Sequence, residues 1–450
     1  MEKQQGTMVR DLTNGSVTRQ LLAFAFPLFV SNALQAVYNM VDMIIVGQVL
    51  GGPGMSAVSI GGDLLHLLTF VSMGFASAGQ VIIARNVGAG RMKEVSQTIG
   101  TLFSFLLGVS VILSGLCFAL RGPILRALNT PNESYSYAMD YLVTCVCGLV
   151  FIYGYNIVSA ILRGMGDSRR PFVFVGVAAV LNIILDYVFV VIAGMEVFGA
   201  ALATVLSQGV SFVSSLVYLY IKRESFGFDF RIRSFAIRSQ TLRPLVLLGV
   251  PMAIQSAAVS FSKVLLISWI NLEGVVYSAL GGVYNKINTI AAVFSMAFVT
   301  AGASMIGQNL GAKKYERVPR IMLTIAVCCT AMYTGFTVLV LLIPDEIFRV
   351  FTSDPAVITL APVLLAPMVM NFYGTATRSF SFALINGSGN TKLNLAIALV
   401  DGIVMRIGFA ALLCFGLGMG SRGCWFGDAA AGFMPLVIGM AFFISGRWKR

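Results

Sequence analysis

The sequence predicts an all-α integral membrane protein, with twelve transmembrane helices in two six-helix bundles (a parallel internal repeat) around a central cavity. Three observations carry that prediction. Of 450 residues, 57% are hydrophobic and only 11% charged, with a mean hydropathy of +0.86. That is more apolar surface than a soluble chain of this length can hide. Apolar runs of roughly 20 or more residues alternate with short charged or glycine-rich joints, as spanning helices require, and they lack the alternating period of a membrane barrel. Finally, SAGQVIIARNVGAGRMKEV (77–95) aligns with TAGASMIGQNLGAKKYERV (300–318), and RGMGDSR (163–169) with NGSGNTK (386–392), both at an offset of 223.

The elements follow in order. The opening MEKQQGTMVRDLTNGSVTRQ is polar and leads into a long helix without a small-residue cleavage site, so it does not read as a cleavable signal. Ser16 or Thr18 is placed to cap the first span, 19–47. Within that span Asn32, Gln35, Asn39 and Asp42 are spaced 3, 4 and 3 apart, which sets a polar stripe on one helix side. The second span, 55–84, carries Asp63 and His66 at i, i+3. Spans at 96–120 and 135–162 follow, the latter with Tyr153 and Asn156. The fifth, 171–193, contains LNIILDY, so Asn182 and Asp186 share a face at i, i+4; the sixth, 198–222, offers Thr204 and Gln208.

The longest charged break then divides the chain into an N-terminal bundle (1–222), a cytoplasmic linker (223–240) and a C-terminal bundle (241–450). The second bundle has spans at 241–271, 276–309, 317–343, 356–385, 392–416 and 422–446, with Lys263, Lys286, Arg378, Asp401 and Arg406 inside them. Pro27 and Pro251 sit early in the first and seventh spans, where a proline permits bending. Glu273, at the outer end of the seventh span, reads as a solvated loop residue.

Charge sets the orientation. With a cytoplasmic N-terminus, 23 of the 31 Lys and Arg residues fall in inner segments, four fall in outer joints and four lie within spans. That asymmetry places both termini in the cytoplasm. The net charge of +12 then reflects topology and attraction to an anionic inner leaflet, and needs no nucleic-acid partner. The seven cysteines lie in apolar runs without a CxxC pair, and His66 is the only histidine. They read as buried thiols rather than metal ligands or disulfides.

Ionisable residues inside a bilayer are costly and mark sites or pathways. If the faces converge, the N-terminal bundle holds two carboxylates, Asp42 and Asp186, among amides and hydroxyls: Gln35, Tyr38, Asn39, Tyr153, Asn156, Asn182, Thr204 and Gln208. Desolvation and a second carboxylate both disfavour the charged form, so such a pair can take up a proton or cage a sodium ion. The repeat maps Asp186 to Phe409, Asn182 to Met405 and Asp42 near Leu266; the ion site is therefore expected in one half only. Lys263, Lys286, Asp401 and Arg406 are expected to form a loose ion network on the cavity wall. The 21 methionines and 33 phenylalanines suit a cavity for bulky apolar cations.

The sequence resembles the multidrug and toxic compound extrusion (MATE) transporters. The residues that carry the resemblance are NMVDMIIVGQVLG, GQVIIARNVGAGR, RGMGDSRRP, LNIILDY, GQNLGAKK and NGSGNTK, six motifs in order along nearly the whole chain. The two carboxylates of the N-terminal half look like the prokaryotic DinF-like branch. The resemblance implies cation-coupled export of drugs, with the coupling site at Asp42, Asn182, Asp186 and Thr204. The seventh span lacks a mid-helix acid and the tenth has none, which departs from branches with an acidic site in the second half.

The expected function is an H⁺- or Na⁺-driven antiporter of the plasma (inner) membrane. It would export cationic or amphipathic organic compounds by alternating access, as a monomer without a cofactor. The absence of a GxxxxGK[ST] motif leaves an ion gradient as the energy source. Lys263 and Arg406 are expected along the substrate cavity. The alternative is a flippase of the same superfamily for lipids or lipid-linked saccharides, which would need a cationic cavity for phosphate. An enzyme is not expected, since no nucleophile–base or metal spacing appears.

Overall fold

Ser16 starts the first helix: its Oγ accepts a hydrogen bond from Arg19 N at 3.5 Å, and α1 then runs Val17–Gly88. The one break in these 72 residues is Gly51, at φ 64° and ψ −152°. That backbone region is open in practice to glycine alone, so α1 is two spans folded at a single residue.

The computed structural model describes residues 9–128, 130–352 and 354–449. The first half continues with α2 (Met92–Ala127), α3 (Asn132–Cys147), α4 (Leu149–Gly164), α5 (Arg169–Asp186) and α6 (Glu196–Ile221). The second half contains α7 (Ser239–Asn271), α8 (Val275–Gly311), α9 (Arg317–Leu342), α10 (Pro344–Arg349), α11 (Pro355–Leu360) and α12 (Pro362–Ser388). It closes with α13 (Thr391–Leu399), α14 (Arg406–Ala411), α15 (Ser421–Ala431) and α16 (Met434–Ile444). Among the described residues there is no strand.

Among the described residues, nine helical stretches are long and apolar enough to cross a bilayer, and the pair α3–α4, bent by 46°, makes a tenth. Counting α1 as two and adding the more polar α12 gives the twelve spans of the fold. The 135–162 span is one of the twelve read from sequence. It bends at Gly148, whose Cα lies against Val205 with no room for a side chain. Backbone widening also departs from regular helix. π-helical turns occupy Tyr187–Ile192, Val400–Met405 and Leu412–Gly416, and such turns recur at functional sites.

By packing the chain forms two units. One comprises Val30–Val250 with the residues up to Asp11; the other comprises Leu12–Phe29 and Pro251–Arg450. The first turns of α1 thus belong to the second unit and the rest to the first. In the first unit α6 packs on α3, α4 and α5, while α2 packs on α3 and α4. Residues 223–240 fold onto α2. Phe226 and Phe228 are buried, Ser104 Oγ donates to Phe235 O at 2.5 Å, and Phe103 meets the Phe235 ring edge-on at 5.9 Å.

In the second unit α12 is the central helix, packed on α8, α9, α15 and α16. The GQNLGAKK motif holds the segment before α1. Gln308 Oε1 accepts from Leu12 N at 3.0 Å, Asn309 Nδ2 donates to Leu12 O at 3.2 Å, and Lys314 Nζ donates to Thr13 O at 3.1 Å. Glu273 is exposed in the turn after α7, as expected from sequence, and it also caps a helix. Its Oε1 accepts from Ser421 N at 2.5 Å, placing a carboxylate at the N-terminus of α15, where free N–H groups favour one.

The repeat reappears in backbone and packing. Gly51 is matched at offset 223 by Gly274, with φ 102°, immediately before α8. A Cβ on Gly164 would lie 2.8 Å from Gln80 O and 2.9 Å from Ile83 Cβ; one on Gly387 would lie 2.8 Å from Ala303 O and 2.8 Å from Ile306 Cβ. All three members of that contact are shifted by 223 residues. The two halves therefore share the joints that let helices approach closely.

Gly51→Ala should lower stability by about 1–3 kcal/mol, the cost of forcing a side chain into a glycine-only conformation. Gly52→Ala, with open space around its Cβ position and no positive φ, should be nearly neutral. Thermal unfolding of the two variants in detergent compares them directly.

Candidate functional site

The first unit brings three of the four expected coupling residues into its interior. Asp42 of α1 and Asn182 and Asp186 of α5 are 6%, 1% and 0% exposed. Asp186 lies within electrostatic reach of Asp42 and is the last α-helical residue before the π-helical turn Tyr187–Ile192. Among the described residues, both oxygens of Asp186, both amide atoms of Asn182 and Oδ1 of Asp42 are buried without a hydrogen-bond partner. A buried polar group without a partner is expensive. Here four of the five atoms are acceptors, and both carboxylates can meet that need by taking up a proton or a cation.

Around this pair, Tyr38 lies near Asp42 and its Oη accepts from Gln208 Nε2 at 3.4 Å. Thr204, one turn earlier on α6, is half-buried, and no hydrogen bond joins its hydroxyl to either carboxylate. Gln35 is half-buried and Asn39 exposed; neither makes a side-chain hydrogen bond among the described residues, so only Asp42 of the polar stripe is enclosed. Tyr153 and Asn156 serve another contact. Tyr153 Oη donates to Leu68 O at 2.7 Å and Asn156 Nδ2 donates to Ser72 Oγ at 3.3 Å, tying α4 to the second half of α1. Asp63 and His66 are both exposed and attract one another, with no hydrogen bond between them.

Sequence reasoning missed Tyr141 and Cys145 of α3. Both are buried and within electrostatic reach of Asp42, and Tyr141 also of Asp186. Gly61 leaves the space that the Tyr141 ring fills. A tyrosine in an apolar helix is no anomaly, and the only sequence signal was its i, i+4 spacing from Cys145.

The charged residues of the second unit form a tight ladder instead of a loose network. Asp401, in the π-helical turn Val400–Met405, accepts from Arg378 Nη2 at 3.1 Å and from Arg406 Nη2 at 3.5 Å. Arg406 Nη1 donates to Asp428 Oδ1, and Asn371 Nδ2 donates to Asp428 Oδ2 at 3.1 Å and to Tyr284 Oη at 2.9 Å. Lys263 lies within reach of Asp428 and Asp401. Arg378 and Asp428 were not expected here, because their partners lie on other helices. Lys286 is exposed and stands outside the ladder.

These two clusters should respond oppositely to the same substitution. Asp401→Asn leaves the buried Arg406 and the half-buried Arg378 short of a partner and should cost about 3–5 kcal/mol. Asp186→Asn removes a carboxylate that no donor engages and should change stability by less than about 1 kcal/mol. Denaturant or thermal unfolding of the purified variants distinguishes the two.

Comparison with known proteins agrees with this architecture. The MatE family profile matches residues 27–188 and again 251–412, once in each repeat. The chain is 28% identical over 443 residues to the "Probable multidrug resistance protein YpnP" of Bacillus subtilis (strain 168), covering 98% of this chain and 97% of that one. It is 25% identical to the "Probable multidrug resistance protein NorM" of Thermotoga maritima, covering 96% and 94%. The solved structure described as "Outward-facing conformation of a multidrug resistance MATE family transporter of the MOP superfamily" superposes with a TM-score of 0.90 at 21% identity, covering all of both chains. The chain therefore belongs to the MATE family and is a multi-pass membrane transporter, not an enzyme.

Proposed function

We propose that the protein is a cation-coupled antiporter that exports cationic or amphipathic organic compounds, with H⁺ or Na⁺ as the driving ion. The observation that carries this reading is the buried pair Asp42 and Asp186, whose oxygens lack protein donors. Asn182, and Thr204 on α6, would supply further oxygens to a cage for either ion. The relatives' names as multidrug resistance proteins support organic substrates.

In the proposed cycle the ion loads onto the carboxylates as substrate leaves on the outer side. The loaded form returns to the inward-open state, the ion departs to the cytoplasm, and a new substrate binds. Exchange needs only that ion and substrate favour different states or compete. The Lys and Arg asymmetry supports the inner (plasma) membrane with both termini cytoplasmic, and the domain division 1–222, 223–240 and 241–450 supplies two repeats to move against each other. A flippase is less well supported: Arg378 and Arg406 are committed to Asp401 and Asp428, leaving few cations for a phosphate.

In proteoliposomes, ethidium efflux under an imposed pH or Na⁺ gradient should be strong for the wild type. It should fall by at least about tenfold for Asp42→Asn and for Asp186→Asn. Wild-type rates in both variants would remove the coupling assignment, and the gradient that drives efflux identifies the ion.

A further inference from the structure

The second unit carries a polarity opposite to that of the first, within two residues of the matched positions of the repeat. Offset by 223, Lys263 falls on Met40, two residues from Asp42, and Arg406 falls on Ile183, beside Asn182. Three cations, Lys263, Arg378 and Arg406, face two carboxylates, Asp401 and Asp428. The guanidinium groups occupy the carboxylates, and Lys263 has neither an ion pair nor a hydrogen bond of its own among the described residues. The cluster therefore holds one positive charge more than it neutralises.

The hydrogen-bond inventory points the same way. Arg406 Nε and Trp425 Nε1 are buried donors without a partner among the described residues; Trp425 stands one turn before Asp428 on α15. Where the first unit has acceptors in want of a cation, this cluster has donors in want of an acceptor. Lys263 is half-buried and Arg378 is 19% exposed, against 0% for Asp401, so the surplus cation is also among the more accessible members.

We propose that Lys263, supported by Arg378 and Arg406, forms an oxyanion subsite that takes the carboxylate of an amphipathic substrate. The transporter then handles zwitterions as well as simple cations. This rests on the efflux reading but names a different part of the molecule. A carboxylate would balance the cluster and accept from the Lys263 ammonium, a charge-assisted hydrogen bond of the strong kind. A monocation gains nothing there.

The test uses two dyes that differ in one group, rhodamine 110 with a free carboxylate and rhodamine 123, its methyl ester. Equilibrium binding to the purified full-length protein is read by fluorescence polarisation. Wild type should prefer the acid, and Lys263→Gln should weaken acid binding about tenfold or more while leaving the ester within twofold. Lys263→Arg should restore the preference. Because Lys263 has no ion pair to break, the variant should melt with the wild type. An unchanged acid-to-ester ratio in Lys263→Gln, or equal weakening of both dyes, would overturn the subsite. An intact acid preference without gradient-driven efflux of either dye would contradict the antiport reading and still support the subsite.

Discussion

A bilayer offers no water to a buried charge, so each charged side chain inside this protein must find its partner within the protein or in what the protein carries. The second unit meets most of that demand internally, through an Asp–Arg ladder in which Asp401 accepts from two arginines and Asp428 from an arginine and an amide, with Lys263 left over. The first unit does not. Asp42 and Asp186 are enclosed with no donor on either of the Asp186 oxygens. A fold that left such a pair permanently charged would carry a heavy desolvation cost. Intermittent occupancy by a proton or metal cation would remove that cost, and the proposed function treats the pair as the loading site for that ion.

The two units show how little of the scaffold had to change. Their helix joints coincide at offset 223, at Gly51 and Gly274 and in the close approach of Gly164 and Gly387 to the preceding hairpin helix. These positions are fixed by backbone geometry, so any exchange there would deform the unit. The polar residues are free of that constraint. Within two residues of the repeat register, one copy has carboxylates where the other has a lysine and an arginine, and the interior is acceptor-rich in one half and donor-rich in the other.

Much of this was legible in the chain itself. Membrane thickness dictates helix length, so the spans could be read from apolar runs, and the cost of intramembrane charge singled out Asp42, Asn182 and Asp186 before any coordinates. What escaped the reading has physical causes. Arg378 and Asp428 acquire meaning only through partners on other helices, and no spacing rule joins residues 23 apart on α12 and the π-helical turn after α13. Tyr141 is an ordinary residue for an apolar helix. The bend at Gly148 and the π-helical turns depend on how neighbours pack, to which hydrophobic periodicity is blind. Glu273 lies at a helix end in sequence and caps a different helix in space.

The central claim is that the Asp42–Asp186 pair holds the coupling ion and surrenders it when substrate binds. Adding tetraphenylphosphonium to the detergent-solubilised protein in weakly buffered solution, while following pH and displacement of bound radioactive Na⁺, tests this without any membrane or gradient. The account predicts release of H⁺ or Na⁺ by the wild type, and none by the Asp42→Asn/Asp186→Asn double variant. Equal release from both proteins would place the ion elsewhere and contradict the account.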